Sequence, residues 1–137
     1  MATLRYLLDT NIVSDLLRRP GGRLAKRISE VGEESVCISV IVAAELRYGA
    51  RKSGSSALTE RVDLLLSALQ VVPLDEPADV AYGELRHHLA ISGQPIGPND
   101  LLIGAHALTL GLTLVTGNLR EFERVPGLNL DNWLAAA

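Results

Sequence analysis

Short apolar runs alternate with longer stretches of helical period along this 137-residue chain. That alternation constrains the fold more than any other feature. Leu4–Leu8 is short, apolar and stopped by Asp9-Thr10-Asn11, which suits a buried strand. Asn11–Arg19 then brings Ile12, Val13, Leu16 and Leu17 round at helical spacing and ends at Pro20-Gly21-Gly22. Arg23–Val31 repeats the pattern with Leu24, Ala25 and Ile28 inward. Val36–Ile38 is a second short strand, and Ser39 suits the cap of a third helix running to about Lys52. Ala57–Leu69 keeps Leu58, Val62, Leu65, Leu66 and Leu69 in phase. Val71–Leu74 gives a third strand, interrupted by Pro73. Ala78–Ser92 and Pro98–Leu110 are helical and are closed by Gly93 and Gly111. Leu112–Val115 is a fourth strand, and Leu128-Asn129-Leu130 adds a fifth at the sheet edge.

Strands that alternate with helices predict an α/β fold, a mainly parallel sheet covered on both faces. The crossovers are right-handed by default. No linker, repeat or low-complexity stretch divides residues 1–137, so one domain is expected. Ligands of such folds gather beyond the C-terminal ends of the strands. Asp9 and Asn118 both lie just after expected strands and so share that edge.

Four polar residues stand in or beside apolar segments: Asp9, Glu45, Asp100 and Asn118. A charge held against apolar surface is costly unless it is paired or bound to a metal. Each has a plain structural reading as well. Asp9 with Thr10 suits a helix cap. Glu45 is the lone polar residue from Val40 to Leu46, and a boundary side chain reaching solvent toward Lys52 accounts for it equally well. Asp100 opens the apolar run Leu101–Ala105 after Gly97-Pro98-Asn99, where a carboxylate both caps the helix and is held ionised by its dipole. Asn118 suits a turn after Gly117. Taken together they suit a hard divalent cation, because carboxylates with few nitrogen ligands select Mg²⁺ or Mn²⁺ over zinc. His87 and His88 diverge by about 100° on a helix, and His106 lies six residues from Asp100 on another face, so these are surface or packing residues.

The net charge of −3 argues against binding nucleic acid through a general basic surface, but it leaves room for a nuclease whose metal meets the phosphates. No apolar run approaches the ~18 residues of a membrane span, and no basic region precedes an apolar export segment. The single cysteine, Cys37, excludes an internal disulfide and any multi-cysteine zinc site. A cytoplasmic protein is expected. A receiver-like regulatory domain would want a lysine near its last strands, and none follows Lys52. No Gly-rich phosphate loop follows any strand.

Four segments occur in order: Leu7-Leu8-Asp9-Thr10-Asn11, Ala44-Glu45-Leu46-Arg47-Tyr48-Gly49, Gly97-Pro98-Asn99-Asp100, and Val115-Thr116-Gly117-Asn118 running on through Leu119-Arg120-Glu121-Phe122. The ordered set resembles the PIN domain, and more narrowly the VapC-type toxins of bacterial toxin–antitoxin pairs. The tail Arg124-Val125-Pro126-Gly127-Leu128, followed by Asn132-Trp133, fits that subgroup. The resemblance covers nearly the whole chain. It implies a three-layer α/β/α sandwich and a Mg²⁺- or Mn²⁺-dependent endoribonuclease acting on structured cellular RNA such as tRNA. It implies Asp9, Glu45 and Asp100 as the acidic core, with Asp9 and Asp100 as direct metal ligands and Glu45 as ligand or water-orienting base. The family's fourth position is often acidic; here it is Asn118, with Glu121 as the lesser substitute, which bears on whether a second ion binds. Arg47, Arg86 and Arg120 are candidate phosphate contacts or solvated side chains. A homodimer and an antitoxin partner are implied too, with the apolar helices Asn11–Arg19 and Val40–Tyr48 offering a docking groove. The alternative is a non-catalytic domain of PIN-like or receiver-like fold.

Overall fold

The computed structural model describes residues 3–134. In chain order the elements are β1 (Tyr6–Leu8), α1 (Thr10–Arg18), α2 (Arg23–Val31), β2 (Val36–Ser39), α3 (Val40–Ser53) and α4 (Ser56–Ala68). There follow β3 (Gln70–Val72), α5 (Ala78–Ile91), α6 (Pro98–Leu110), β4 (Thr113–Val115), α7 (Leu119–Phe122) and β5 (Leu130–Asp131). The strands form one sheet in the order β3-β2-β1-β4-β5, and every pairing is parallel. Helices flank it in the expected α/β/α arrangement. Leu7, Leu8, Val36, Cys37, Ile38, Leu114 and Val115 are all buried. Helices on both faces leave the central strands no solvated side, so they read as unbroken apolar runs.

The strands differ from expectation at their ends. β1 begins at Tyr6, two residues later than Leu4. β3 spans Gln70–Val72 instead of Val71–Leu74, because Pro73 has no N–H to carry the ladder on. β5 is Leu130–Asp131, since the Leu128 N–H turns back to the Val125 carbonyl and its side chain packs between two apolar clusters. Two short elements carry too few residues to show a period: α7 and a 3-10 turn at Glu33–Ser35.

The larger apolar cluster surrounds the sheet; the smaller one joins α5 and α6 through Leu85, Leu89, Leu101 and Ala105, with Val125 against them. One contact fixes α7. Gly104 on α6 has no side chain, and a Cβ there would lie 3.6 Å from the Phe122 ring. Phe122 is fully buried against that helix, so its neighbour Glu121 is carried toward the start of α6. Cys37 is a core residue whose thiol burial pushes up to about 11. His87 and His88 are exposed, whereas His106 is buried with Nδ1 2.8 Å from Ser39 Oγ. No described helix is long and apolar enough to cross a membrane.

Candidate active site

The order β3-β2-β1-β4-β5 places a switch point between β1 and β4, where successive connections leave in opposite directions. Crevices open at such points beyond the strand ends. The register Leu8 opposite Val115 sets Asp9 beside Thr116 at that crevice. Asp9 is 4% exposed. Its Oδ1 accepts the Thr10 N–H at 2.8 Å and its Oδ2 accepts the Thr116 hydroxyl at 2.8 Å. The helix-cap reading therefore holds, and the same side chain lines the crevice. Burial pushes its carboxyl above the usual range, the two hydrogen bonds pull it back, and the charges of Glu45 and Glu121 push it up again.

Thr10 links Asp9 to the next acid. Its hydroxyl donates to Glu45 Oε1 at 2.8 Å, so Glu45 turns toward β1 and α1 instead of toward Lys52. Asp100 is the third residue of α6, and the capping position, Gly97, contributes no side chain to the helix N–H groups. Its carboxyl is pushed up to about 7, first by burial, then by the charge of Glu121 and a hydrogen bond with it, with Asp9 and Glu45 adding smaller repulsions. The negative charge beside it favours the protonated form of Asp100.

Asn118 enters this constellation differently from expectation. Its N–H donates to Thr116 Oγ1 at 3.0 Å and its Nδ2 donates to Glu121 Oε2 at 2.5 Å. The Gly97 N–H also reaches Glu121, at 3.3 Å to Oε1. Glu121, the lesser substitute on sequence grounds, is thus the acid that meets Asp100, and Asn118 aims it. The missed signal was the three-residue spacing from Asn118 to Glu121, which is one helical turn.

Asp9, Thr10, Asp100 and Asn118 line a cleft of about 400 Å³. Along α1 the wall continues through Asn11, Ser14 and Arg18. Thr10, Ser14 and Arg18 also border a second groove of about 290 Å³, with Glu45 at its edge and Leu17, Leu46, Leu58 and Val62 along it. The expected arginines do not line the cleft. Arg47 is paired with Asp63 of α4 at 2.6 Å, and Arg86 donates to Tyr82 on its own helix. Arg120 is exposed on α7. Arg18 was not foreseen.

A PIN domain profile matches residues 6–128. The chain belongs to the PIN domain family. It is 40% identical to ribonuclease VapC2 of Rickettsia felis over 93% of this chain and 97% of that one. It is 38% identical to the tRNA(fMet)-specific endonuclease VapC of Salmonella typhimurium, over 95% and 98%. Among solved structures, VapBC2 from Rickettsia felis, bound to a DNA fragment from its promoter, superimposes with a TM-score of 0.88 at 38% identity. That match covers 95% of this chain and 99% of the other. Membership of the PIN family replaces the receiver-like alternative.

The PIN cleft suits a hard cation on its own chemistry. Asp9 and Asp100 are both held above the usual carboxylate range, with the charges of Glu45 and Glu121 contributing, and among the described residues none of the four acids forms a salt bridge. The donor set is oxygen throughout, which fits Mg²⁺ or Mn²⁺. No three described His, Cys, Asp or Glu side chains already converge at ligand distances. A cation held between Asp9 and Asp100 would offset the repulsion that raises both carboxyls.

Proposed function

We propose that this PIN domain is a Mg²⁺- or Mn²⁺-dependent endoribonuclease toxin held in check by an antitoxin. The observation that carries this reading is the set of four uncompensated acids at the β1/β4 switch point, set beside close similarity to VapC ribonucleases. Asp9 and Asp100 would hold the cation, which would supply positive charge against the scissile phosphate and ease deprotonation of the attacking water. Glu45, fixed by the Thr10 hydroxyl, orients that water or accepts its proton. Thr116 keeps Asp9 turned into the cleft, and Asn118 keeps Glu121 facing Asp100. Glu121, aimed at Asp100 by Asn118, is the residue through which a second ion would bind.

The substrate class is structured cellular RNA, with tRNA first because a close relative is named for tRNA(fMet) cleavage. Residues 1–137 act as one catalytic unit in the cytoplasm. The chain works as a homodimer and, by analogy with the VapBC2 complex, assembles further with its antitoxin. The antitoxin lies along the groove between α1, α3 and α4, whose Leu17, Leu46, Leu58 and Val62 present apolar surface beside the cleft. The test is direct. Purified, partner-free protein cuts tRNA with Mg²⁺ or Mn²⁺ and stops with a chelator, and Asp9→Asn, which keeps a capping oxygen, loses cutting without unfolding. Cleavage that survives either the chelator or Asp9→Asn overturns the assignment.

A further inference from the structure

The cleft has one wall that the chemistry above does not use. Asn11, Ser14 and Arg18 are spaced three and four residues apart, so they form a single stripe along α1, and all three line the cleft. The opposite side of the helix buries Ile12, Val13 and Leu16 in the core. Among the cleft-lining residues Arg18 is the one cation, standing at the far end from the acids. Among the described residues its guanidinium makes only a long ion pair with Asp15 on its own helix. It lies 3.7 Å from Asp15 Oδ1, and that same oxygen already accepts the Arg19 guanidinium at 2.9 Å. The Arg18 side chain is 67% exposed. Arg18 borders the cleft together with Ser14, one turn earlier on α1, and the two also border the neighbouring groove.

We propose that Arg18 is a substrate-positioning residue that binds an RNA phosphate flanking the scissile one, with Ser14 and Asn11 marking the path of the strand between them. This rests on the ribonuclease reading and adds the direction in which the RNA leaves the metal site. Seven positions separate Asn11 from Arg18, about 10 Å along the helix, which sets the Arg18 backbone well away from the acids. It is a suitable distance for a phosphate one or two nucleotides away. An arginine suits the task because its fork binds phosphate oxygens bidentately. A cation at this position also offsets the repulsion that four clustered acids exert on an incoming polyanion.

The experiment compares wild type, Arg18→Ala and Arg18→Lys on unfractionated tRNA, with kcat and KM measured across a salt series. Arg18→Ala is expected to raise KM about tenfold, in line with loss of one exposed charge-assisted hydrogen bond, and to leave kcat within about twofold. The slope of log affinity against log salt falls by about 0.7, one phosphate contact on a single strand. Arg18→Lys restores the slope and only part of the KM, since it keeps the charge and loses the fork. An unchanged KM and slope overturn the proposal, as does a fall in kcat at constant KM. So does a loss of antitoxin binding with RNA binding intact, which would assign Arg18 to the partner. If Arg18→Ala fails to fold, Arg18→Gln keeps the stem and decides on the same readouts. Asp9→Asn, assayed alongside, separates the two failures: if it still cuts RNA, the ribonuclease reading is wrong; if it does not, a silent Arg18→Ala counts against this site alone.

Discussion

Replacing Asp100 with asparagine should make the metal-free protein more stable while abolishing cleavage. The Asp100 carboxyl moves from an ordinary 3.8 to about 7 on folding, chiefly through burial and the Glu121 charge. Between those two values the folded state binds the proton that the unfolded state has released. Stability is therefore full below about 4, falls as pH rises, and levels off above 7. Each pKa unit corresponds to about 1.4 kcal/mol, so the whole displacement sets a ceiling of about 4 kcal/mol. Asp100 is only partly buried, and solvent screening brings the realistic cost to about 1–2 kcal/mol. Asparagine removes that cost at pH 8 but forfeits the attraction between a carboxylate and the start of α6, worth about 0.3–1 kcal/mol. The net gain is about 1 kcal/mol, which raises Tm by about 3–5 °C in a domain of this size. Differential scanning calorimetry at pH 8 in a chelator measures it. A magnesium titration then distinguishes the causes. Wild type gains stability with added ion through mass action, and the variant gains much less. A variant that melts lower than wild type in chelator, or that gains as much from magnesium, would refute the view that uncompensated charge marks the cation site.

Other outcomes follow from single contacts. Thr116→Val removes the hydroxyl that donates to Asp9 and accepts from the Asn118 N–H; it should cost about 1–3 kcal/mol by denaturant melt and weaken magnesium binding. Asn118→Ala should leave the fold intact but release Glu121, lowering kcat about tenfold, the size of a lost charge-assisted hydrogen bond, with KM little changed. Gly49 lies on α3 at the apolar groove with nothing within 4 Å of an added Cβ. Gly49→Gln should therefore raise stability by about 0.5–1 kcal/mol and preserve cleavage, yet obstruct antitoxin binding in a pull-down or inhibition assay. Phe122→Ala should cost about 3–5 kcal/mol and, in any population still folded, lower cleavage as well, because the ring seats α7 against Gly104.

Much of this protein was legible in the order of its residues. Apolar runs of strand length, separated by segments of helical period and punctuated by Pro20, Gly93 and Gly111, determined the α/β class and the parallel sheet, because periodicity records which faces must be buried. Asp9 was legible too, since a polar residue directly after a buried strand falls at the ligand-binding edge of any such sheet. Asp100 and Glu45 stood out only as charges in apolar surroundings. Nothing local showed that the Thr10 hydroxyl would hold one, or that the other would meet Glu121. Those relations are decided by tertiary packing. The Phe122 ring on Gly104 sets the position of a helix four residues long, too short to leave a period in the sequence, and that helix carries the acid that contacts Asp100. The strand order likewise puts residues more than a hundred positions apart, Asp9 and Thr116, within a hydrogen bond. Sequence reports what each segment must bury; which charges then face one another depends on how distant segments pack.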